Sequence, residues 1–167
     1  LVPNKSIDLT KWSVVACDQY TSEPEYWEEV EKTVGESKST LRLILPEIYL
    51  GEDERINKIN SEMKKYLSDG TFDTIKDSFV LTERTQRNGK KRYGLIGKVD
   101  LEEYDFSKGS SSYIRATEGT VIERIPPRVK IRENAPLELP HIIMLIDDEC
   151  ERIIEPLKDM ELDTIYD

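Results

Sequence analysis

"DSFVLTERTQRNGKKRYGLIGKVDL", residues 77–101, carries the strongest local structural signal of the chain. Two β-rich runs flank Asn88-Gly89, the dipeptide preferred in a two-residue type I′ turn because both of its residues tolerate positive φ. A β-hairpin is expected. Upstream the hydrophobic period changes. In "EDERINKINSEMKKYLSDG" (52–70), Ile56, Ile59, Met63 and Leu67 fall on one face of an amphipathic helix, with Gly70 after its end. A second helix is expected in "TSEPEYWEEVEKTVG" (21–35). There Ser22 and Glu25 have capping-box spacing, Pro24 suits the first turn and Gly35 closes the end.

The remaining segments read as strands and short helices. Ser13–Cys17 is a short apolar strand that ends in the polar triplet Asp18-Gln19-Tyr20. "TLRLILPEIY" (40–49) is a leucine-rich strand stopped by Pro46, and "HIIMLIDD" (141–148) is a buried strand by its continuous apolar run. "DFSKGSSS" (105–112) is a flexible polar loop. "PPRVKIREN" (126–134) starts a helix at its proline pair, and "ECERIIEPLKDM" (149–160) is a short helix. This order predicts an α+β fold: a mixed β-sheet with a hairpin and three to four packed helices, in a single domain over 1–167.

Composition narrows the function. Apolar residues make up 37% of the 167 and charged residues 35%, so a modest core lies under a heavily charged surface. The formal net charge of −10 argues against broad nucleic-acid binding, because phosphates are repelled at long range. No apolar run approaches the ~20 residues of a membrane helix, so no membrane partner is expected. Cys17 and Cys150 form no disulfide framework, and a reduced cytoplasm is the expected setting. The chain starts at Leu1 and stops in "DTIYD", which reads as a trimmed or partial chain.

Within this acidic chain "YIRATEGTVIERIPPRVKIR" (113–132) carries five basic residues against two acidic ones. Phosphate recognition needs cationic forks, short hydroxyls and free backbone N–H groups. Arg115, Thr117, Gly119 and Thr120 offer these within six positions, and Arg124 and Arg128 follow. A helix here sets Arg128 and Arg132 at i, i+4 on one face, with its positive end just after the prolines. Glu118 and Glu123 could instead neutralise these arginines. Two readings stay open: a site for a small anionic group such as phosphate, or an internal ion-pair network.

Other chemistry is sparse. His141 is the one histidine, which disfavours His-rich zinc sites and Ser-His or Cys-His nucleophile machinery. Neither glycine-rich phosphate loop occurs. Asp147-Asp148-Glu149 reads as a solvated acidic turn before it reads as a Mg²⁺ site, and no metal ligand is assigned.

"WSVVACDQYTSEPEYW", "STLRLILPE", "GLIGKVDLEEYDFSKGSSSYIRATEGTVIERIPPR" and "IRENAPLELPHIIMLIDD" resemble the bacterial and archaeal domain-of-unknown-function family 1015, in particular its clostridial branch. The resemblance runs over nearly the whole chain, and its 94–148 block is highly specific. Some members carry the label SpoOJ/ParA/ParB/RepB-like. Full-length members are more than twice as long and carry a D-G-N-H-S or D-G-H-H-R signature further along, which does not occur here. That signature is similar to one in the ParB/sulfiredoxin-type fold of nucleotide-binding partition proteins and free-serine kinases. The resemblance thus implies the N-terminal part of such an architecture, with the protein's own C-terminal half as partner.

Arg115, Thr117 and Glu118 match the family's R-A-T-E block, and Asp18 and Tyr20 match its early Y-D-type turn. On this basis Glu118 and Asp18 are the candidate base or Mg²⁺ contact. Arg115, Thr117, Gly119, Thr120, Arg124 and Arg128 are candidate phosphate or nucleotide ligands, and Gln19 and Tyr20 candidate substrate contacts. The implied function is a nucleotide-dependent small-molecule phosphotransferase using a nucleotide with Mg²⁺. The alternatives are a ParB-like nucleotide-switched regulator and a structural subdomain without a ligand. The family has no established activity, and fold alone does not dictate one.

Overall fold

The computed structural model describes residues 1–117, 119 and 121–166, and of Arg124 the main chain. These residues form four α-helices, short strands and several 3₁₀ turns. The chain divides into two units, Leu1–Ile75 with Glu118–His141, and Lys76–Thr117 with Ile142–Asp167.

The first unit starts with β1 (Val2–Pro3), which pairs antiparallel with β2 (Phe72–Asp73). Helix α1 (Leu9–Trp12) is capped by Asp8, whose carboxylate accepts the Thr10 N–H at 3.0 Å. Helix α2 (Pro24–Val34) is amphipathic and buries Trp27 and Val34. Its capping box does not form. Pro24, with φ pre-set for a first helical residue, moves the cap to Glu23, which makes no side-chain cap bond. Gly35 closes the helix at φ +54, with its N–H on the Glu31 carbonyl at 2.9 Å. Helix α3 (Asp53–Ser68) buries Ile56, Ile59 and Met63 as the spacing predicts. Its last turn differs: Tyr66 is buried and Leu67 is exposed. The Tyr66 hydroxyl accepts the buried Ser39 N–H at 3.2 Å, and its ring stacks on Trp12, so the aromatic gains both a polar partner and a face to pack on.

The expected strand at 40–49 is not one. Ser39 accepts the Leu41 N–H at 3.2 Å and caps a 3₁₀ turn, Thr40–Leu43; a second covers Glu47–Tyr49. Leu41, Leu43 and Leu45 are buried, so the period-2 alternation is real, yet no strand ladder uses it. Instead Ser39 and Thr40 each donate a hydroxyl to the Trp12 carbonyl, at 3.0 and 2.8 Å. Short hydroxyls that bond nearby backbone compete with ladders in this way. The expected strand Ser13–Cys17 is irregular for the matching reason. The Val14 N–H goes to Thr40 Oγ1, and the Cys17 carbonyl accepts the Glu47 N–H at 2.8 Å.

The core of this unit has two clusters. One gathers Trp12, Leu43, Leu45, Ile56, Ile59, Met63 and Tyr66, and the other Trp27, Val34 and Leu41. Helix α4 (Ile125–Arg132) belongs here as well. It begins at the proline pair as expected, and Ile131 packs against the first cluster together with Ala135, Leu137 and Leu139.

The second unit holds the expected hairpin, β3 (Val80–Thr85) with β4 (Lys91–Ile96), in register from Val80↔Ile96 to Thr85↔Lys91. Its turn is not type I′, because Asn88 does not take positive φ. The loop is three residues long: the Gly89 N–H bonds the Gln86 carbonyl at 2.9 Å, and Gly89 alone is left-handed, at φ +78. This is a type I turn followed by a G1 bulge, which carries the right-handed twist equally well. Across the hairpin Glu83 accepts from Tyr93 at 2.8 Å and pairs with Lys91 at 2.5 Å.

The 105–112 loop links β5 (Tyr104–Asp105) to β6 (Ile114–Arg115), which pair in parallel. The expected strand 141–148 is irregular, with Ile142, Ile143 and Leu145 exposed at 85%, 90% and 84%. An apolar run forms a strand only with a ladder partner, and among the described residues it has none. The expected helix at 149–160 is a 3₁₀ turn, Glu155–Asp159. The α+β class therefore holds. Its β content, antiparallel in two pairs and parallel in one, is divided among three two-stranded pairs.

Candidate functional site

The polar triplet Asp18-Gln19-Tyr20 follows a tight turn closed by the Gln19 N–H on the Ala16 carbonyl at 3.0 Å. The Gln19 amide donates to the Asp18 carboxylate at 3.3 Å. Tyr20 sits at φ +52, a region that a bulky side chain enters only when its surroundings hold it there. Its ring stacks on Tyr26 of α2, centroids 3.9 Å apart and planes 15° from parallel. The strained residue is thus clamped by the helix that follows it.

Arg128, on α4, acts electrostatically on Cys17, which precedes this turn. Burial pushes the Cys17 thiol above its ordinary value, the Asp18 and Glu47 carboxylates push it further, and the Arg128 guanidinium pulls it back. Of these groups Glu47 is joined to Cys17 directly, its N–H on the Cys17 carbonyl at 2.8 Å, while the Arg128 influence is electrostatic and the weakest of them. Arg128 is exposed, and among the described residues it has no ion-pair partner. Its helical neighbours are committed. Lys130 pairs with Asp53 at 2.6 Å and Arg132 with Glu138 at 3.0 Å. The predicted sharing of one face by Arg128 and Arg132 therefore does not give two free cations.

The other expected ligands are not all gathered there. Arg115 lies in β6, exposed and opposite Asp105, and Thr117 follows in a bend; both belong to the second unit. Gly119 is exposed, and a Cβ built on it meets nothing within 4 Å. Glu118 and Thr120 lie outside the described residues, as does the side chain of Arg124. Glu47 was missed by the sequence reading. No spacing rule ties it to the 18–20 turn; its link is the tertiary hydrogen bond from its N–H to the Cys17 carbonyl.

Among the described residues no group of three or more His, Cys, Asp or Glu converges as metal ligands. Asp148 is used structurally, accepting the Arg152 and Ile153 N–H groups at 2.7 and 2.8 Å. Cys17 and Cys150 are both free thiols. Among the described residues no helix is long and apolar enough to cross a membrane.

The fold defines a mixed α+β protein whose candidate residues include an exposed arginine on α4 and a polar turn with Tyr20 at positive φ. Its sequence matches the family DUF1015, described as a protein of unknown function, over residues 1–167, and the chain belongs to that family. No curated protein and no solved structure matches it.

Proposed function

We propose that this chain supplies the phosphate-binding part of an enzyme that transfers a phosphoryl group from a nucleotide to a small polar molecule. The supporting observation is Arg128, an exposed guanidinium with no carboxylate partner among the described residues, carried by a helix of the same unit as Asp18-Gln19-Tyr20. A planar fork of N–H donors suits a phosphate, and a transferring phosphoryl is stabilised mainly by such positioned charge. Gln19 and Tyr20 contact the acceptor molecule, and Asp18 takes its proton or holds Mg²⁺. A guanidinium, an amide and a carboxylate are chemically suited to a nucleotide with Mg²⁺. Bound there, the metal would screen the phosphate charge. Gly119, Thr120, Glu118 and Arg124 are further proposed ligands, with a C-terminal half of a longer protein as partner. Such an enzyme works in the cytoplasm, where Cys17 and Cys150 stay reduced.

A structural role without a ligand is the second reading. It is favoured by Lys130–Asp53 and Arg132–Glu138, which show that part of the basic segment neutralises the chain's own acids. Calorimetric titration of the chain with inorganic phosphate and with MgATP separates the two. Arg128→Ala is expected to weaken binding about ten-fold or more, as loss of a charged hydrogen-bonding partner does. Arg132→Ala leaves binding within about two-fold. Equal losses in both variants, or no binding by the parent chain, would favour the structural reading.

A further inference from the structure

Asn88 and Gly89 sit at the tip of the β3–β4 hairpin, and both are exposed. An asparagine before a glycine brings an electrophile and a nucleophile together. The side-chain amide carbon of the first and the main-chain nitrogen of the second can close a five-membered ring. A Cβ on the following residue ordinarily crowds that closure. Asn4, Asn57, Asn60 and Asn134 precede Lys5, Lys58, Ser61 and Ala135, so Asn88 alone is followed by a residue without one.

The fold widens this difference. Asn4 is held at both ends of its amide: the oxygen accepts the Ser6 N–H at 3.0 Å, and the nitrogen donates to Asp73 at 3.0 Å. Asn57 and Asn60 lie inside α3, where the next N–H is spent on the helix ladder, and Asn60 is buried as well. After Asn134, the Ala135 N–H goes to the Arg132 carbonyl at 3.0 Å.

At the tip the Asn88 oxygen accepts the Lys90 N–H at 3.0 Å, which draws electron density from the amide carbon. The Asn88 amide nitrogen, the leaving group, has no partner among the described residues. A Cβ built on Gly89 meets nothing within 4 Å, so approach to its nitrogen is uncrowded. Arg87 and Lys90 flank the step, exposed and without ion-pair partners among the described residues. Cations favour both a deprotonated nitrogen and the oxyanion formed on closure. The restraint is the Gly89 N–H bond to the Gln86 carbonyl at 2.9 Å. A lone exposed hydrogen bond in a loop opens locally, without unfolding the rest of the chain.

We propose that Asn88 is a covalent modification site, converting spontaneously to aspartate and isoaspartate in the folded chain. The Gly89 nitrogen loses its proton to base and attacks Asn88 Cγ. The new N–Cγ bond forms, the bond from Cγ to the side-chain nitrogen breaks, and ammonia leaves with a proton. Water then opens the succinimide. Opening at Cγ gives aspartate, and opening at the main-chain carbonyl routes the backbone through Cβ and Cγ as isoaspartate. Either product puts a carboxylate between Arg87 and Lys90 in place of a neutral amide. Isoaspartate also lengthens the loop main chain and loosens the Thr85↔Lys91 end of the register. The site shares no residue with the Arg128 reading and stands or falls apart from it.

The test ages the whole chain in native buffer, slightly acid or slightly alkaline, and then cleaves it after glutamates. Residues 84–102 are released with Asn88 as their one asparagine. This peptide is expected to gain about one mass unit and to separate into aspartate and isoaspartate forms. Ammonia appears in step, and conversion is faster in alkali because the attacking nitrogen must lose its proton. The peptides that hold Asn4, Asn57, Asn60 and Asn134 keep their masses. Asn88→Gln, with one more methylene to close, stops the conversion, and its Thr85–Lys91 cross-strand contacts show by NMR that the hairpin persists. Conversion that needs urea overturns the proposal, as does an equal rate at Asn134, a rate indifferent to pH, or undiminished conversion in folded Asn88→Gln.

Discussion

Trp27, in the first unit, is 0% exposed, and Tyr113, in the second, is 94% exposed. The contrast extends across both. Among the described residues every buried hydrophobic residue, from Trp12 to Tyr66, belongs to the first unit. The second shows Phe79, Leu101, Phe106 and Ile143 largely exposed, and its order rests on the hairpin register, the β5–β6 pair and local side-chain bonds. The difference teaches where the candidate chemistry can be held firmly. A guanidinium fixed by a helix on a packed core is pre-organised, whereas a cation on a short exposed strand is not. Arg128 rises from a helix whose Ile131 packs on the core, with its own guanidinium exposed, and Arg115 from a short exposed strand.

The largest effect that tests this contrast is in the core. Trp27→Ala is expected to cost about 3–5 kcal/mol in urea denaturation, the usual range for emptying a buried aromatic site. Ile143→Ser, at a 90% exposed position, should stay within about 0.5 kcal/mol. Similar costs at both would break the comparison.

A smaller effect comes from Asp69, which follows α3. The Lys38 ammonium first, then the Thr71 hydroxyl, hold its carboxyl below the ordinary 3.8. Lys38 lies 2.9 Å from this carboxylate, and Thr71 is fully buried. A depressed folded-state pKa gives stability that is present above the unfolded value and lost as pH falls through the folded one. Asp69→Asn should therefore cost at most about 1 kcal/mol at pH 7, because solvent screens this exposed carboxylate. Its deficit should shrink once the pH drops below 3.8, in denaturation curves taken across the acid range.

A loss of similar size is expected from Gly89→Ala. Open space surrounds that Cβ, so only the left-handed backbone resists it, by about 1 kcal/mol. The loss should appear as weakened cross-strand contacts between Thr85 and Lys91, with the first unit's α3 unaffected.

What the sequence made legible follows from range. Periodicity and local turn chemistry placed α2, α3, α4 and the hairpin, because each is decided within its own residues. The failures were segments decided elsewhere in the chain. "TLRLILPEIY" has strand composition, but Ser39 and Thr40 spend their hydroxyls on Trp12 and turn the backbone into 3₁₀ geometry. "HIIMLIDD" has the composition of a buried strand and lacks the neighbour that would make it one. For the candidate site, residue types marked Arg128, and the family resemblance raised Asp18 and Tyr20. That Lys130 and Arg132 are spent on Asp53 and Glu138 while Arg128 has no ion-pair partner among the described residues required the tertiary packing of α4. The strain at Tyr20 was likewise invisible, since no local rule puts a tyrosine at positive φ.

The most direct test of the central claim is a ¹H–¹⁵N titration of the arginine Nε–H resonances with inorganic phosphate. The Arg128 resonance is expected to shift and saturate while that of Arg132, tied to Glu138, stays in place. Equal small drifts of both, scaling with ionic strength and without saturation, would contradict an anion site at Arg128.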